Sequence, residues 1–245
     1  MAKKTTLEIP DFLKDKYRHI GTGEPWGDHK IELPNDKIFD NVVAIMRANP
    51  LHMNHTLMLR RLCDQAVYAK INLGSSNKFN EKNPFKIEER EQMVKIALRD
   101  YDNFDVLGLP DFGQDDEWFQ CLYKNNKPFS EVLSNNQSDL KIYERYQEAP
   151  GYDRFDIIYP TDILPQEDML YVDGIWDKGK FIQARKPMYT SGTFVRATIV
   201  NNWNWQDFLD KKVAEYIKKN GLDTRLKQMC KGLEGITLAK LEEDR

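Results

Sequence analysis

Apolar and polar residues alternate along the middle of this chain in blocks that predict strands and helices in turn. Short β-branched runs have the length and composition of buried strands, and between them apolar residues recur at the helical spacing of three and four. Pro84 and two glutamates mark the start of the second helix. The predicted strands are 41–46, 69–73, 104–109 and 155–159, and the predicted helices are 57–67 and 87–100.

This alternation predicts an α/β fold with a doubly wound parallel sheet, in which ligands bind outside the carboxyl ends of the strands. Residues 181–184 are predicted as an edge strand and 194–200 as a short helix. The segment 124–152 is rich in Asn, Gln, Ser and Lys and weak in periodicity, which predicts an insertion. The predicted organisation is an irregular N-terminal arm over 1–40, one domain over 41–220, and a helical tail over 221–245.

Composition narrows the class of protein. The net charge of −3 and the pI near 5.9 leave no basic excess, so we expect small-molecule chemistry and no nucleic-acid partner. Three widely spaced cysteines fit no disulfide or metal pattern and indicate a reducing compartment. Because no apolar run reaches membrane-spanning length, we expect a cytoplasmic protein with no membrane contact.

The turn after the first predicted strand carries two of the four histidines, His52 and His55. A strand-to-helix turn directs backbone N–H groups and the positive end of the helix dipole to one place, which favours a bound phosphate. Two alternatives stand beside this interpretation. The histidines could cap or pack on one helical face, or they could share a metal ion, although no nearby Cys, Asp or Glu completes such a site.

Two further segments carry candidate chemistry. Small residues at 74–77 follow the second predicted strand and allow a ligand to approach the backbone. Ser191, Gly192 and Thr193 precede a short helix that contains Arg196, which indicates either an anion-binding helix start or an ordinary helix cap.

Together these segments resemble a known family. Residues 47–55 are similar to the G-R-x-x-P-x-H-x-G-H signature of the HxGH nucleotidyltransferases, and 191–196 to their S-x-T-x-x-R signature. The residues at 74–77, Asn83-Pro84-Phe85 followed by Glu89-Arg90, and the spacing of Asp111 from Trp118 resemble the archaeal-type nicotinamide mononucleotide adenylyltransferases. The resemblance covers residues 41–122 and 154–220.

The resemblance implies a Rossmann-like nucleotidyltransferase fold and the transfer of AMP from ATP to a nucleotide phosphate, with release of pyrophosphate. It implies Mg²⁺ on the phosphates, no metal ligand from the protein, and a homo-oligomer. In-line transfer of this kind depends mainly on positioning and on neutralising phosphate charge. By resemblance, the catalytic residues are Arg47, His52, His55 and Arg196, and the ATP-binding residues are Ala48, Asn49, Asn54, Ser191, Gly192 and Thr193.

The acceptor nucleotide is assigned to a second group by the same resemblance. Lys82 would hold the acceptor phosphate, with a solvated loop lysine as the alternative, and Trp118 would stack on the pyridinium ring, with a core position as the alternative. Acidic residues at 115–117 would favour a cationic base or would simply form the acidic first turn of a helix. The acceptor-binding residues are Gly74, Ser75, Lys82, Asn83, Asp111 and Trp118.

The chain departs from the family pattern at Met46 and Asn54, which replace glycines, at Asn49, which replaces a glutamine, and at Lys82, which replaces an arginine. Three hypotheses follow. The chain is a nicotinamide mononucleotide adenylyltransferase, or a sister enzyme for nicotinate mononucleotide, phosphopantetheine or a phosphorylated sugar, or a nucleotide-binding protein without turnover.

Overall fold

The computed structural model describes residues 37–134, 136–163, 171–177, 180–189, 191–202 and 204–230. The predicted N-terminal arm lies outside these residues except for its last four positions. The chain divides into two compact units. We call the described residues of Glu32–Leu51 and His55–Gln166 the sheet unit, and those of His52–Asn54 and Glu167–Arg245 the C-terminal unit.

The sheet unit is built on five strands that all run parallel, in the order β3-β2-β1-β4-β5. The central strand β1 is flanked on both sides, so apolar residues are buried along it. The predicted Rossmann-like parallel sheet is confirmed. The strands are β1 Phe39–Met46, β2 Ala66–Leu73, β3 Phe104–Gly108, β4 Glu131–Leu133 and β5 Asp156–Ile158.

Helices follow the strands as the sequence pattern predicts, with shifted boundaries. The prediction of helix through Val67 is wrong, because Ala66 and Val67 begin β2, and Val67 lies on an exposed side at 53% exposure. The second helix starts where the Glu89 carboxylate accepts a bond from the Lys86 N–H at 2.8 Å. The helices are α1 Met53–Gln65, α2 Ile87–Ala97, α3 Asp115–Asn126, α4 Gln137–Tyr146 and α5 Pro160–Ile163.

The segment 124–152 is not an insertion as predicted. It contains β4, which pairs with the central strand β1, and α4, whose start is capped by the Asn136 side chain accepting from the Ser138 N–H at 3.0 Å. A three-residue strand is too short to produce a periodic pattern, and its pairing is a tertiary effect. The parallel sheet therefore continues through this segment.

Aromatic residues pack the side of the sheet covered by α3 and α4. Phe119 is buried and stacks on Tyr146 with ring centroids 4.1 Å apart, while Phe155 and Tyr143 complete an edge-to-face contact at 6.3 Å. The buried residues of this cluster are Val43, Leu109, Phe119, Leu122, Phe129, Val132, Leu140, Ile142, Tyr143 and Phe155.

The C-terminal unit contains an antiparallel pair, β6 Tyr171–Asp177 and β7 Lys180–Tyr189. The predicted strand at 181–184 lies in β7, which pairs with β6 in a two-stranded sheet apart from the five-stranded one. The helices that follow are α6 Gly192–Val200, a 3₁₀ turn Trp205–Phe208, α7 Lys211–Lys219 and α8 Leu222–Met229.

Helix α8 packs against α6 and α7 through buried leucines, and the Asp210 side chain caps α7 by accepting from the Lys212 N–H at 2.9 Å. The rest of the predicted helical tail, 231–245, lies outside the described residues. Within the described part of the chain, no helix combines the length and apolar character required to span a membrane.

A buried pair of amides joins β2 to the end of α3. The Asn72 amide donates to Asn126 Oδ1 at 2.9 Å, and the Asn126 amide donates to Asn72 Oδ1 at 3.1 Å and to the Leu122 carbonyl at 2.7 Å. Because both side chains are buried, the Oδ1 atom of each asparagine depends on the amide of the other for its hydrogen bond.

Replacing Asn126 with alanine removes the donor to the buried Asn72 Oδ1 atom and one acceptor of the Asn72 amide. We expect this change to lower the free energy of unfolding by about 1–3 kcal/mol, measured by urea denaturation. Asn125→Ala is the matched control, because that side chain is exposed and bonds only the Cys121 sulfur, at 3.4 Å. Equal losses in the two variants would contradict this account of the pair.

Candidate active site

The predicted strand, turn and helix around His52 and His55 are present in the fold. Strand β1 ends at Met46, Arg47 follows with an exposed side chain, and α1 starts at Met53. Ala48 in this turn is buried and has a left-handed φ of 47°. Since β1 is the central strand, the turn lies at the middle of the carboxyl edge of the sheet.

The two histidines occupy different positions at the start of α1. His52 directly precedes the helix and is 5% exposed, while His55 lies in the first helical turn with its Nδ1 atom buried. Burial lowers the pKa of His55 from 6.5 to about 4. The ring of His55 is therefore neutral at pH 7 and carries one N–H donor.

The replaced glycines do not fall where the backbone requires glycine. Among the described residues other than glycine, only Ala48, Ser75 and Asn202 have a positive φ. Met46 is an extended residue of β1, and Asn54 is a right-handed helical residue of α1.

The loop after β2 lies beside the histidine turn. The Gly74 N–H donates to the Met46 carbonyl at 2.9 Å, which joins the carboxyl ends of β1 and β2. Ser75 adopts a φ of 52°, and its hydroxyl donates to Asp111 Oδ1 at 3.0 Å. The Asn77 amide donates to the Asp111 carbonyl at 3.1 Å and accepts from the Asp111 N–H at 2.9 Å. The structure thus brings Gly74, Ser75 and Asp111 together.

Asn49 links two of the predicted groups. Its amide donates to Asn83 Oδ1 at 3.4 Å, and its Oδ1 accepts from the Phe85 N–H at 3.3 Å. Asn83 is also held by Asn80 Oδ1 through its N–H at 2.9 Å. A residue predicted to bind ATP, Asn49, is therefore in direct contact with a residue predicted to bind the acceptor, Asn83. Lys82, next to Asn83, has an exposed side chain.

Trp118 packs partly into the core. Its ring lies 6.1 Å from that of Tyr143, against the aromatic cluster, which supports the core alternative for this residue. The acidic residues at 115–117 form the first turn of α3, and the Arg145 guanidinium bonds Asp116 at 2.9 Å and Asp115 at 3.4 Å. This exposed pairing supports the helix-start alternative for the acidic residues.

The second motif starts a helix in the C-terminal unit. The Ser191 carbonyl accepts the first helical bond of α6 from the Val195 N–H at 3.0 Å, with Gly192 as the first helical residue. Arg196 donates to the Thr193 hydroxyl at 3.1 Å, one turn apart on α6. Ser191, Gly192, Thr193 and Arg196 thus lie together at one helix start, a position whose backbone N–H groups favour an anion.

The sequence did not identify two features at the same carboxyl edge. Ser134 and Asp139 follow β4, the neighbour of β1, so they lie on that edge as well. Burial raises the pKa of the Asp139 carboxyl to about 6, and the positive charge of Arg47 acts to lower it. The correct assignment of β4 is the signal that would have placed Asp139 near Arg47.

Arg90 is the second feature at this edge that the sequence did not identify as part of the site, because it was recognised only within the Glu89-Arg90 motif. Its guanidinium reaches from α2 to the Arg47 carbonyl at 2.9 Å, the Gly74 carbonyl at 2.7 Å and the Ser75 carbonyl at 3.2 Å. The side chain is fully buried. These carbonyls lie 15 to 43 residues away along the chain, so the sequence pattern around Arg90 does not predict which of them it contacts.

Other reactive groups lie apart from these loops. Among the described residues no group of three or more His, Cys, Asp or Glu side chains could hold a metal ion. Cys63 and Cys230 are buried and Cys121 is half-buried, all as free thiols. Burial raises the pKa of Cys63 to about 12, so this thiol is not ionised at neutral pH.

No family model matches the chain. The chain is 29% identical over 116 residues to the nicotinamide-nucleotide adenylyltransferase of Methanolobus tindarius, a match that covers 45% of this chain and 67% of that protein. It is 25% identical over 191 residues to the enzyme of the same name from Methanosarcina mazei, covering 76% of this chain and 91% of the relative. The Pyrococcus furiosus relative is 24% identical over 194 residues, covering 77% and 88%.

Solved structures agree on the fold. The chain superposes on a bifunctional NMN adenylyltransferase/ADP ribose pyrophosphatase from Francisella tularensis with a TM-score of 0.55 and 22% identity. The match covers 78% of this chain and 52% of the bifunctional one, so this chain spans about half of that protein. A second structure of that protein, complexed with AMP and Mn ion, gives a TM-score of 0.52 at 17% identity, with the same coverage.

The lowered pKa of His55 makes stability depend on pH. The unfolded chain binds the proton at about 6.5 and the folded one only near 4, so stability is lost as the pH falls through this window. We expect the wild type to lose about 3 kcal/mol more than His55→Gln between pH 8 and pH 4, measured by urea denaturation. Asn54→Ala, which removes no titrating group, should follow the wild-type curve.

Asp139 has the opposite sign of pH dependence. Its pKa is raised from 3.8 to about 6, so its contribution to stability is complete below pH 3.8 and is lost as the pH rises through 6. We expect Asp139→Asn to be more stable than the wild type at pH 7.5, with the difference shrinking at pH 4.5, measured by thermal unfolding. Glu144→Gln, exposed on the same helix, is the control and should show no such trend.

Proposed function

We propose that this chain, which belongs to the cytidylyltransferase-like nucleotidyltransferase superfamily, transfers the adenylyl group of ATP to nicotinamide mononucleotide. In this reaction an oxygen of the acceptor phosphate bonds to the α-phosphorus of ATP. The bond from that phosphorus to the bridging oxygen of the β-phosphate breaks, and the products are NAD and pyrophosphate.

One observation carries the proposal. The histidine turn follows the central strand of a parallel sheet, and the loop after β2 is bonded to it through Gly74 and Met46. Ligands of parallel α/β sheets bind at this edge, where strand order reverses around β1. The relatives that align over 91% and 88% of their length are named nicotinamide-nucleotide adenylyltransferases, which supports this reaction over other nucleotide chemistry.

The proposed roles at the histidine turn follow from charge. Arg47 is exposed at the end of β1 and supplies a permanent positive charge for ATP phosphate, with Asp139 as its counter-charge in the free protein. His55 is neutral at pH 7, so it acts as a hydrogen-bond donor to a phosphate oxygen, and His52 takes the same role. Ala48, Asn49 and Asn54 belong to the same proposed ATP-binding segment.

The second motif is assigned to ATP through the family resemblance. Arg196, held by Thr193, supplies a guanidinium for the β- and γ-phosphates, while Ser191 and Gly192 supply donors at the helix start. This assignment is tested separately from those of Arg47 and His55, because these two residues belong to the sheet unit and Arg196 belongs to the C-terminal unit.

The acceptor is proposed to bind along the loop after β2. Ser75, Asp111 and Asn83 are fixed by hydrogen bonds in the structure, and Lys82 is exposed beside them, where an ammonium can meet the acceptor phosphate. Trp118 is partly buried, so its stacking on the nicotinamide ring stays a prediction.

We propose that Mg²⁺ would accompany ATP, where it would neutralise part of the negative charge of the phosphates. The related structure complexed with AMP and Mn ion supports a divalent ion in that protein. A homo-oligomer is proposed from the family resemblance alone.

The decisive experiment measures pyrophosphate release with ATP, Mg²⁺ and one acceptor at a time. We expect release with nicotinamide mononucleotide, and a fall of about 100-fold or more in kcat for His55→Ala and for Arg196→Ala. Arg99→Ala is the matched control, since its guanidinium bonds the Ile96 carbonyl at the far end of α2, and it should keep wild-type turnover.

Each alternative has its own outcome. Release with nicotinate mononucleotide, phosphopantetheine or a phosphorylated sugar, and none with nicotinamide mononucleotide, would identify a sister enzyme. Binding of ATP by calorimetry without release for any acceptor would identify a protein without turnover. Full activity of His55→Ala would overturn the phosphate role given to that residue.

A further inference from the structure

Arg90 makes contacts that extend beyond those needed to fill space in a core. From α2 its Nη1 donates to the Arg47 carbonyl at 2.9 Å and to the Gly74 carbonyl at 2.7 Å, and its Nη2 donates to the Ser75 carbonyl at 3.2 Å. One of these carbonyls follows β1, and the other two follow β2. A single guanidinium therefore holds two loops that meet at the carboxyl edge of the sheet.

Both loops have backbone conformations that need support. Ala48 lies one residue after Arg47 with a φ of 47°, and Ser75 has a φ of 52°. A left-handed conformation costs a residue with a side chain about 1–2 kcal/mol, and it persists only where surrounding contacts hold it. The bonds from Arg90 fall directly beside these two residues.

The two loops carry residues that are proposed to bind different substrates. Arg47 projects from the first loop as the proposed phosphate ligand, and the Ser75 hydroxyl donates to Asp111 from the second loop, on the proposed acceptor side. The Gly74 N–H also donates to the Met46 carbonyl at 2.9 Å. A shift of either loop is therefore transmitted to the other through this direct bond and through the three bonds of Arg90.

We propose that Arg90 is a positioning residue that couples the donor loop, 46–49, to the acceptor loop, 74–77, so that each substrate raises the affinity for the other. The names of the two substrates rest on the proposed function, whereas the coupling of the loops does not. Coupling of this kind is reciprocal, because it is one free energy shared by both binding events.

Lysine is the informative replacement for Arg90. It keeps the positive charge, but its donors radiate from one nitrogen, whereas the guanidinium serves these carbonyls from two nitrogens held in one plane. The matched control is Arg61→Lys, because Arg61 is also buried but pairs with Asp64 within α1, at 3.6 Å.

The first test needs no substrate. In Arg90→Lys, amide hydrogen exchange should become faster in peptides that cover 46–49 and 74–77 together, while peptides from β3 keep their wild-type rates. Arg61→Lys should leave both loops unchanged. Faster exchange in only one loop, or the same increase in the control, would overturn the coupling.

The second test uses calorimetry with a non-hydrolysable ATP analogue and nicotinamide mononucleotide. In the wild type, each ligand should tighten the binding of the other by about fivefold or more. In Arg90→Lys this ratio should fall toward one, with a smaller change in the affinity for each ligand alone. An unchanged ratio would overturn the proposal, since a purely structural role lowers the folded fraction without altering the ratio.

Two outcomes separate this inference from the proposed function. If the wild type binds neither ligand, the proposed function fails, and the exchange experiment alone decides the role of Arg90. If Arg90→Lys does not fold, the wild type still gives an answer, because the ATP analogue alone should slow exchange in 74–77 as well as in 46–49. Slower exchange confined to 46–49 would count against the coupling.

Discussion

The buried guanidinium of Arg90 is the constraint on which the carboxyl edge of the sheet depends. Parallel strands end with carbonyl groups that have no partner strand beyond them, and each buried carbonyl needs a donor. Arg90 supplies donors to the carbonyls of Arg47, Gly74 and Ser75. Burial lowers its pKa, while charges led by that of Asp111 raise it, so the cation is kept inside by its neighbours as well as by the carbonyls.

The charged state of each group at this edge depends on whether its side chain is buried or exposed to water. His55 is buried and neutral, so it can donate a hydrogen bond without adding a charge that a buried site would resist. Arg47 is exposed and carries its charge at low cost, with the Asp139 carboxyl nearby. A division between neutral buried donors and an exposed cation suits a reaction driven by positioning and electrostatics.

The sequence predicted the parts of the fold that carry long apolar patterns. Strands β1 and β2 and the helix between them were predicted from local apolar patterns, and the loop at 74–77 was predicted from its small residues. Strand β4 has only three residues, Glu131–Leu133, and its place beside β1 is decided by tertiary pairing, so 124–152 was predicted wrongly as an insertion. For the same reason Asp139 was missed. Trp118 could be either core or ligand by its sequence, and its contact with Tyr143 is a property of the fold.

The two glycine replacements gain a different meaning from the backbone. Glycine is required where φ is positive or where another atom would collide with a side chain. Met46 lies in an extended strand and Asn54 in a right-handed helix, whereas the positive φ values fall at Ala48 and Ser75. The replacements therefore impose no backbone strain, and they bear on function only through the space that their side chains occupy. The volume of the Met46 and Asn54 side chains beside the histidine turn is therefore the property by which these replacements bear on turnover.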